Sequence, residues 1–281
     1  MRLRPQPVAL CLLSALALVC SAQSSAPLPD PRQLTRDVVA HQKQLEKIRE
    51  NYTYSSQLTT QDLDPNGKVT KTETVETENF FVNGHAISRT VKKDGKPLSD
   101  HDQQKETESV TKQVQKAEKT PSDQPLEGQT ISISRILDIM DIGPPRRENF
   151  RGRPTIVFDF VGRKDAKTHG MAEDASKKLK GTIWIDEADR EVAHLEVIFY
   201  DNFHVAGGLL ANIQKGSSFH LDQAPVDSGL WLPTGGEGNV QARIVLVKSM
   251  RQHFVERSYD YKRFSVETQQ NKDAKVVKGK Q

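Results

Sequence analysis

Cysteine is almost missing. The 281 residues include two, Cys11 and Cys20, both within the first 22 positions. Past that leader the chain offers no thiol nucleophile, no disulfide and no thiolate metal site. An exported chain of this kind must be stabilised by its core, and the lack of disulfides suits a bacterial periplasm better than a eukaryotic exterior. Apolar side chains are scarce as well, at 35% against a usual ~45–50%. That excludes a polytopic membrane protein and argues against a parallel α/β enzyme, whose buried strands are near-continuous apolar runs. Charge of one sign is also absent. The 40 Lys and Arg are interspersed with 37 Asp and Glu, so there is no clustered basic footprint and no nucleic-acid partner is expected.

Catalytic signatures are missing too. There is no Gly-x-Ser-x-Gly, no His-Glu-x-x-His, no phosphate loop with its lysine and no dinucleotide fingerprint. The eight histidines show no ligand spacing, and His194 and His253 alternate with apolar strand positions, which reads as outward-facing. Gly236-x-Gly238 lacks a third glycine and reads as a turn. One motif does match: Asp62, Asp64, Asn66, Gly67 and Glu73 fit a calcium-loop pattern. Its flanks are Thr- and Tyr-rich strand formers rather than helices, so an ordinary hairpin turn is the expectation. No catalytic residue, no metal and no cofactor are expected, and the chain reads as a non-enzyme.

What is present begins with a leader. Arg2 and Arg4 precede the apolar run Val8–Val19, and Cys20-Ser21-Ala22 follows, which reads as a secretory signal over residues 1–22 cleaved before Gln23. Twelve residues are too few to span a membrane. The alternative, a lipid anchor on Cys20, is disfavoured by Val19 in front of it. Residues 23–30 form a polar leader. A helix then starts at Asp30-Pro31, with an apolar stripe of Leu34, Val38, His41, Leu45 and Ile48. Strands follow at 52–60, 69–82 and 86–92, the last two joined by the hairpin signal Asn83-Gly84. A charged insertion, 99–130, carries a thin stripe at Val110, Val114 and Ala117. It reads as an exposed helix, either a solvated spacer or a lid over a cavity mouth.

A short helix over 132–142 is expected from Ile133, Ile136, Leu137 and Met140, stopped by Gly143-Pro144-Pro145. Strands dominate from there, at 155–162, 179–186, 192–201, 219–223, 230–234, 239–249 and 253–267. About ten antiparallel strands make a curved sheet with helices on one side, an α+β and mostly β fold. Alternation puts Ile156, Phe158 and Phe160 on one side of their strand and Leu195, Val197 and Phe199 on one side of theirs. Under the 132–142 helix these six are the expected apolar ligand-binding face. The glycine-broken segment 203–216 adds Leu209 and Leu210, as a loop tucked on the core or as a gate. The last ten residues lean basic (Lys272, Lys275, Lys278, Lys280), and 269–281 reads as a disordered, solvated tail.

The run Gly181-Thr182-Ile183-Trp184-Ile185-Asp186, followed by a polar turn and Val192-Ala193-His194-Leu195-Glu196, resembles a hairpin of the outer-membrane lipoprotein-sorting (LolA/LolB-like) superfamily. Leu230-Trp231-Leu232-Pro233 and Tyr259–Phe264 are similar to its later strands. The resemblance covers 31–268 and implies an open half-barrel holding helices in its concavity. Members carry lipoproteins, bind lipid or sense envelope stress. The charged insertion and His194, where the family has an arginine, depart from the pattern, and no family site motif matches. The resulting expectation is a periplasmic carrier or binding protein for an acyl chain, a lipoprotein or another apolar ligand, with transient membrane contact allowed. The rival is an envelope sensor or regulatory module that binds a protein partner, and a hydrolase with dispersed residues ranks last.

Overall fold

A computed structural model describes residues 27–122, 124, 126, 135, 138–205, 211–227, 230–244 and 249–263. The segment expected to be a signal, the basic tail, Leu209 and Leu210 lie outside these residues. In chain order the elements are α1 (Pro31–Arg49), β1 (Tyr52–Leu63), β2 (Val69–Val82), β3 (His85–Lys93), β4 (Lys96–Pro97), α2 (Asp100–Lys119), β5 (Met140–Ile142), β6 (Arg146–Phe150), β7 (Arg153–Gly162), α3 (Gly170–Ser176), β8 (Leu179–Asp186), β9 (Val192–Phe199), β10 (Phe203–Val205), β11 (Ala211–Ile213), β12 (Ser218–Asp227), β13 (Leu230–Ile244) and β14 (Met250–Arg263).

The strands pair antiparallel in one sheet ordered β4-β3-β2-β1-β14-β13-β12-β9-β8-β7-β5, with β6 also on β7 and the β10–β11 hairpin on β13. The sheet is open, not closed into a barrel. The extra strands beyond the expected ten are mostly short. In one place two expected strands are one: β13 runs unbroken through Gly235, Gly236 and Gly238, so the expected turn there is corrected. A Cβ on Gly236 would lie 2.7 Å from the His220 carbonyl oxygen, and one on Gly238 would lie 2.4 Å from the Phe254 ring. These glycines allow close approach of the flanking strands rather than a reversal. The Asn83-Gly84 turn forms as expected, with φ of 49° and 79°, the geometry of a two-residue hairpin.

α1 starts where the sequence says. Asp30 caps it, its Oδ1 accepting from the Gln33 backbone N–H at 2.8 Å, with Pro31 at the first position and Lys47 and Arg49 in the last turn to suit the helix dipole. Leu34, Val38 and Leu45 are buried as expected, but Ile48 is 45% exposed and Gln42 is fully buried. The inward stripe is therefore Leu34, Val38, Gln42, Leu45 and Arg49. A polar side chain can take an inward position because the sheet supplies a partner for it, and the apolar spacing alone cannot show that.

α2 lies on the opposite face of the sheet from α1. Leu45 packs with Tyr52, which points the same way as Tyr54 and its cross-strand partner Asn79. Phe80 and its partner Ile87 point the other way. Val110, Val114 and Ala117 of α2 pack on that pair. The charged insertion thus forms a helix bound to the back of the β2–β3 hairpin. The helix expected over 132–142 falls largely outside the described residues; Arg135 and Asp138 are helical, while Met140 opens β5 and pairs with Gly162.

Candidate functional site

Beneath α1 the alternation of β7, β8 and β9 builds one apolar layer. Ile156 pairs with Ile185 and Phe158 with Ile183, and Leu195 pairs with Ile183 and Phe199 with Leu179. Ile156, Phe158, Phe160, Leu195, Val197 and Phe199 all join this cluster, each less than a tenth exposed. Leu34, Val38 and Val39 of α1 cover them, and Met140 and Ile142 at the end of the 132–142 segment join the same cluster; residues 132–134, 136 and 137 of that segment lie outside the described residues. Below its next turn the contact becomes polar. Gln42 donates through Nε2 to the Glu191 carboxylate, His41 lies 2.8 Å from the same carboxylate, and Arg49 donates to Gln223 Oε1 and the Trp231 carbonyl, both at 3.1 Å. The Oε1 of Gln42 has no hydrogen-bond partner among the described residues. Burial pushes the Glu191 carboxyl above the usual range, against the pull of Arg49 and His41. Past this seam a second apolar patch begins, where Leu45 meets Tyr52, Leu230 and Leu232.

The other face of the same strands is polar and aromatic. His194 was expected to face solvent. It does point away from α1, but it is only 7% exposed. The end of β6 curls over it, so that the Phe150 ring stacks on His194 at 5.0 Å, and Trp184 meets it edge-on at 4.9 Å. Nδ1 of His194 lies 2.6 Å from Asp222 Oδ1, and Nε2 lies 3.0 Å from Glu196 Oε1. Both partners accept only, so the ring satisfies both as the imidazolium. Burial opposes that charge, but the two carboxylates outweigh it and raise the pKa. Burial likewise works against the Asp222 carboxylate, yet hydrogen bonds from His194 and Arg151 hold it below the usual range. Next to this cluster, across β7, β8, β9, β12 and β13, runs a groove of about 590 Å³ whose walls include Glu196, His220, Glu237 and Asn239.

Asp62–Glu73 spans the β1–β2 hairpin. Asp64 Oδ1 accepts from the backbone N–H groups of Asn66 and Lys68, Asp62 Oδ1 accepts from Gln252 at 2.8 Å, and Glu73 pairs with Lys71 at 3.0 Å. The motif's carboxylates are spent on turn and strand contacts. Among the described residues no group of three or more His, Cys, Asp or Glu could hold a metal ion. Sequence reasoning missed Gln42, Glu191 and the groove. The first two are polar residues at inward positions, and the groove exists only through the register of neighbouring strands.

No family model matches the chain, and no curated protein does. Solved structures with a similar fold include a DUF1329 family protein from Desulfovibrio piger, 12% identical over 85% of this chain and 95% of that one, with a TM-score of 0.38. A second is an outer membrane lipoprotein-sorting protein domain from Vibrio parahaemolyticus, 10% identical over 83% of this chain and 94% of that one, with a TM-score of 0.36. A third is MucB in complex with MucA, 8% identical over 83% of this chain and 100% of that one, with a TM-score of 0.24.

Proposed function

We propose that this is a non-catalytic periplasmic carrier or binding protein for an acyl chain, free or on a lipoprotein, with Ile156, Phe158, Phe160, Leu195, Val197 and Phe199 as the floor the chain meets and α1 as the cover that yields to it. The supporting observation is the polar break in the inward stripe of α1. Leu34, Val38 and Val39 hold one end and Leu45 the other, with Gln42 and its incompletely paired amide between them. Burying three aliphatic side chains contributes ~5–9 kcal/mol, and about ten methylenes of a bound chain contribute ~8 kcal/mol. The two are comparable, so an acyl chain can replace the cover over the floor while Leu45 and Arg49 keep α1 attached. Leu209 and Leu210, outside the described residues, are proposed to border the opening.

The test is uptake of cis-parinaric acid, read by its fluorescence, in wild type and in a Gln42→Cys/Glu191→Cys variant joined by a short cleavable cross-link. These side chains touch in the closed form, and no other cysteine lies past position 20. Wild type is expected to take up one chain per molecule, the cross-linked variant none, and cleavage to restore uptake. Uptake that ignores the cross-link, or none by wild type, overturns the reading. A stable protein partner in place of lipid would favour the regulatory module.

A further inference from the structure

The groove on the face away from α1 has no part in that reading. Its walls follow from register. Asp159 pairs with Thr182, Thr182 with Glu196, Glu196 with His220 and His220 with Glu237. Paired residues share a face, so one row crosses five neighbouring strands. Strands lie ~4.8 Å apart, which places a carboxylate at every second strand, ~10 Å from the next. Asp159 is held by Arg146 at 3.0 Å. Glu196 and Glu237, with side chains 60% and 48% exposed, have only histidines as ionic partners among the described residues, His194 at 3.0 Å and His253 at 3.8 Å. Among the described residues Lys180 is the single lysine or arginine of the groove wall. The parallel row alongside supplies Ile198, Ser218 and Asn239, an apolar and hydrogen-bonding floor for a peptide backbone. The groove is therefore a track with negative charge at a regular interval.

The sequence holds a segment of matching charge and interval. Lys272, Lys275 and Lys278 recur every third residue. In an extended polyproline-type conformation three residues advance ~9.3 Å, close to the carboxylate interval. Reach is sufficient. β14 ends at Arg263, eight residues past Val255, which pairs with Glu237; that stretch is ~26 Å of strand. The nine residues from Arg263 to Lys272 can span ~30 Å. We propose that this groove is a docking site for the basic C-terminal segment of the same chain, with Lys272, Lys275 and Lys278 meeting Glu237, Glu196 and Asp159 in turn.

The experiment titrates a fluorescent synthetic peptide of residues 269–281 against three full-length proteins: wild type, the K272S/K275S/K278S variant, and that variant with E196Q and E237Q added. Anisotropy reads binding, and circular dichroism checks that each protein is folded. The lysine-free chain is expected to bind the peptide at least about fivefold more tightly than wild type, because the tethered segment no longer competes at its high effective concentration. Removing the two carboxylates should then weaken binding by about fivefold or more, the sum of two exposed ion pairs. A peptide of the same composition with its lysines contiguous should bind more weakly. Equal binding by wild type and the lysine-free chain overturns the proposal, as does binding that ignores E196Q/E237Q. If the variant carrying all five substitutions fails to fold, E237Q alone on the lysine-free chain gives the same comparison, since among the described residues the one ionic contact of Glu237 is to His253 at 3.8 Å.

Discussion

The sheet has two wings made of the same kind of strand, and only one is filled. From β7 to β12 successive inward positions carry Ile, Phe, Leu and Val, and α1 closes them into a cluster of fourteen buried apolar residues among the described ones. From β1 to β3 the α1-side face mixes the rings of Tyr52, Tyr54 and Phe81 with hydroxyls and amides. Ser56 bonds Thr77 at 2.8 Å, and Asn79 joins Ser56 at 3.1 Å and Ser88 at 2.7 Å. An apolar cluster of that wing lies on the back, under α2, and has three buried members among the described residues. Equal pairing with unequal filling shows that backbone ladders set the architecture here while side-chain burial sets where stability is concentrated.

Four substitutions would break or sharpen this contrast. The largest effect is expected at Phe158, fully buried at the centre of the filled wing. Phe158→Ala should cost ~3–5 kcal/mol in urea unfolding, and a wild-type curve would show that the filled wing is not the stable one. Ile87→Ala should cost ~2–4 kcal/mol, expressed locally. Amide exchange in α2 should accelerate while that of β8 holds, and equal acceleration in both would make the sheet a single unit. Asn79→Ala removes the hub of the polar ladder and leaves buried partners unsatisfied, a loss of ~1–3 kcal/mol that chemical denaturation would detect.

The smallest effect concerns His194 and depends on pH. Its folded pKa is raised, so its contribution is complete below the ordinary histidine value of ~6.5 and fades as pH rises through the folded value. The Asp222 side of the pair has a lowered pKa, so its share is present above ~3.9 and is lost as pH falls through the folded value. The stability gap between wild type and His194→Gln should therefore be widest between about pH 4 and 6.5. A gap that grows toward alkaline pH would show that the ring sits there uncharged.

The filled wing was legible from the chain alone because its strands alternate strictly, Ile156/Phe158/Phe160 and Leu195/Val197/Phe199 being the clearest cases. The cover was not. The Leu34–Leu45 stripe marks a helix, but nothing in it says that Gln42 and Arg49 face inward, since their burial depends on Glu191 and Gln223, over a hundred residues away. The glycines of β13 misled for a related reason: a residue that permits a turn also permits close packing, and Phe254 decides between the two. His194 looked solvated because its roof, Phe150, arrives from a strand too charged to announce itself.

The pairing of β1 with β14 has a consequence for how the chain is made. Tyr52 lies opposite Arg263 and Asp62 opposite Gln252, so the middle of the sheet is a junction between segments about two hundred residues apart. Closing so long a loop costs entropy before any contact offsets it, and such topologies fold slowly. Until β14 emerges, β1 has β2 on one side and a bare edge on the other. A partly synthesised chain therefore cannot complete the sheet, and the joining of its two ends waits for the last strand to be made.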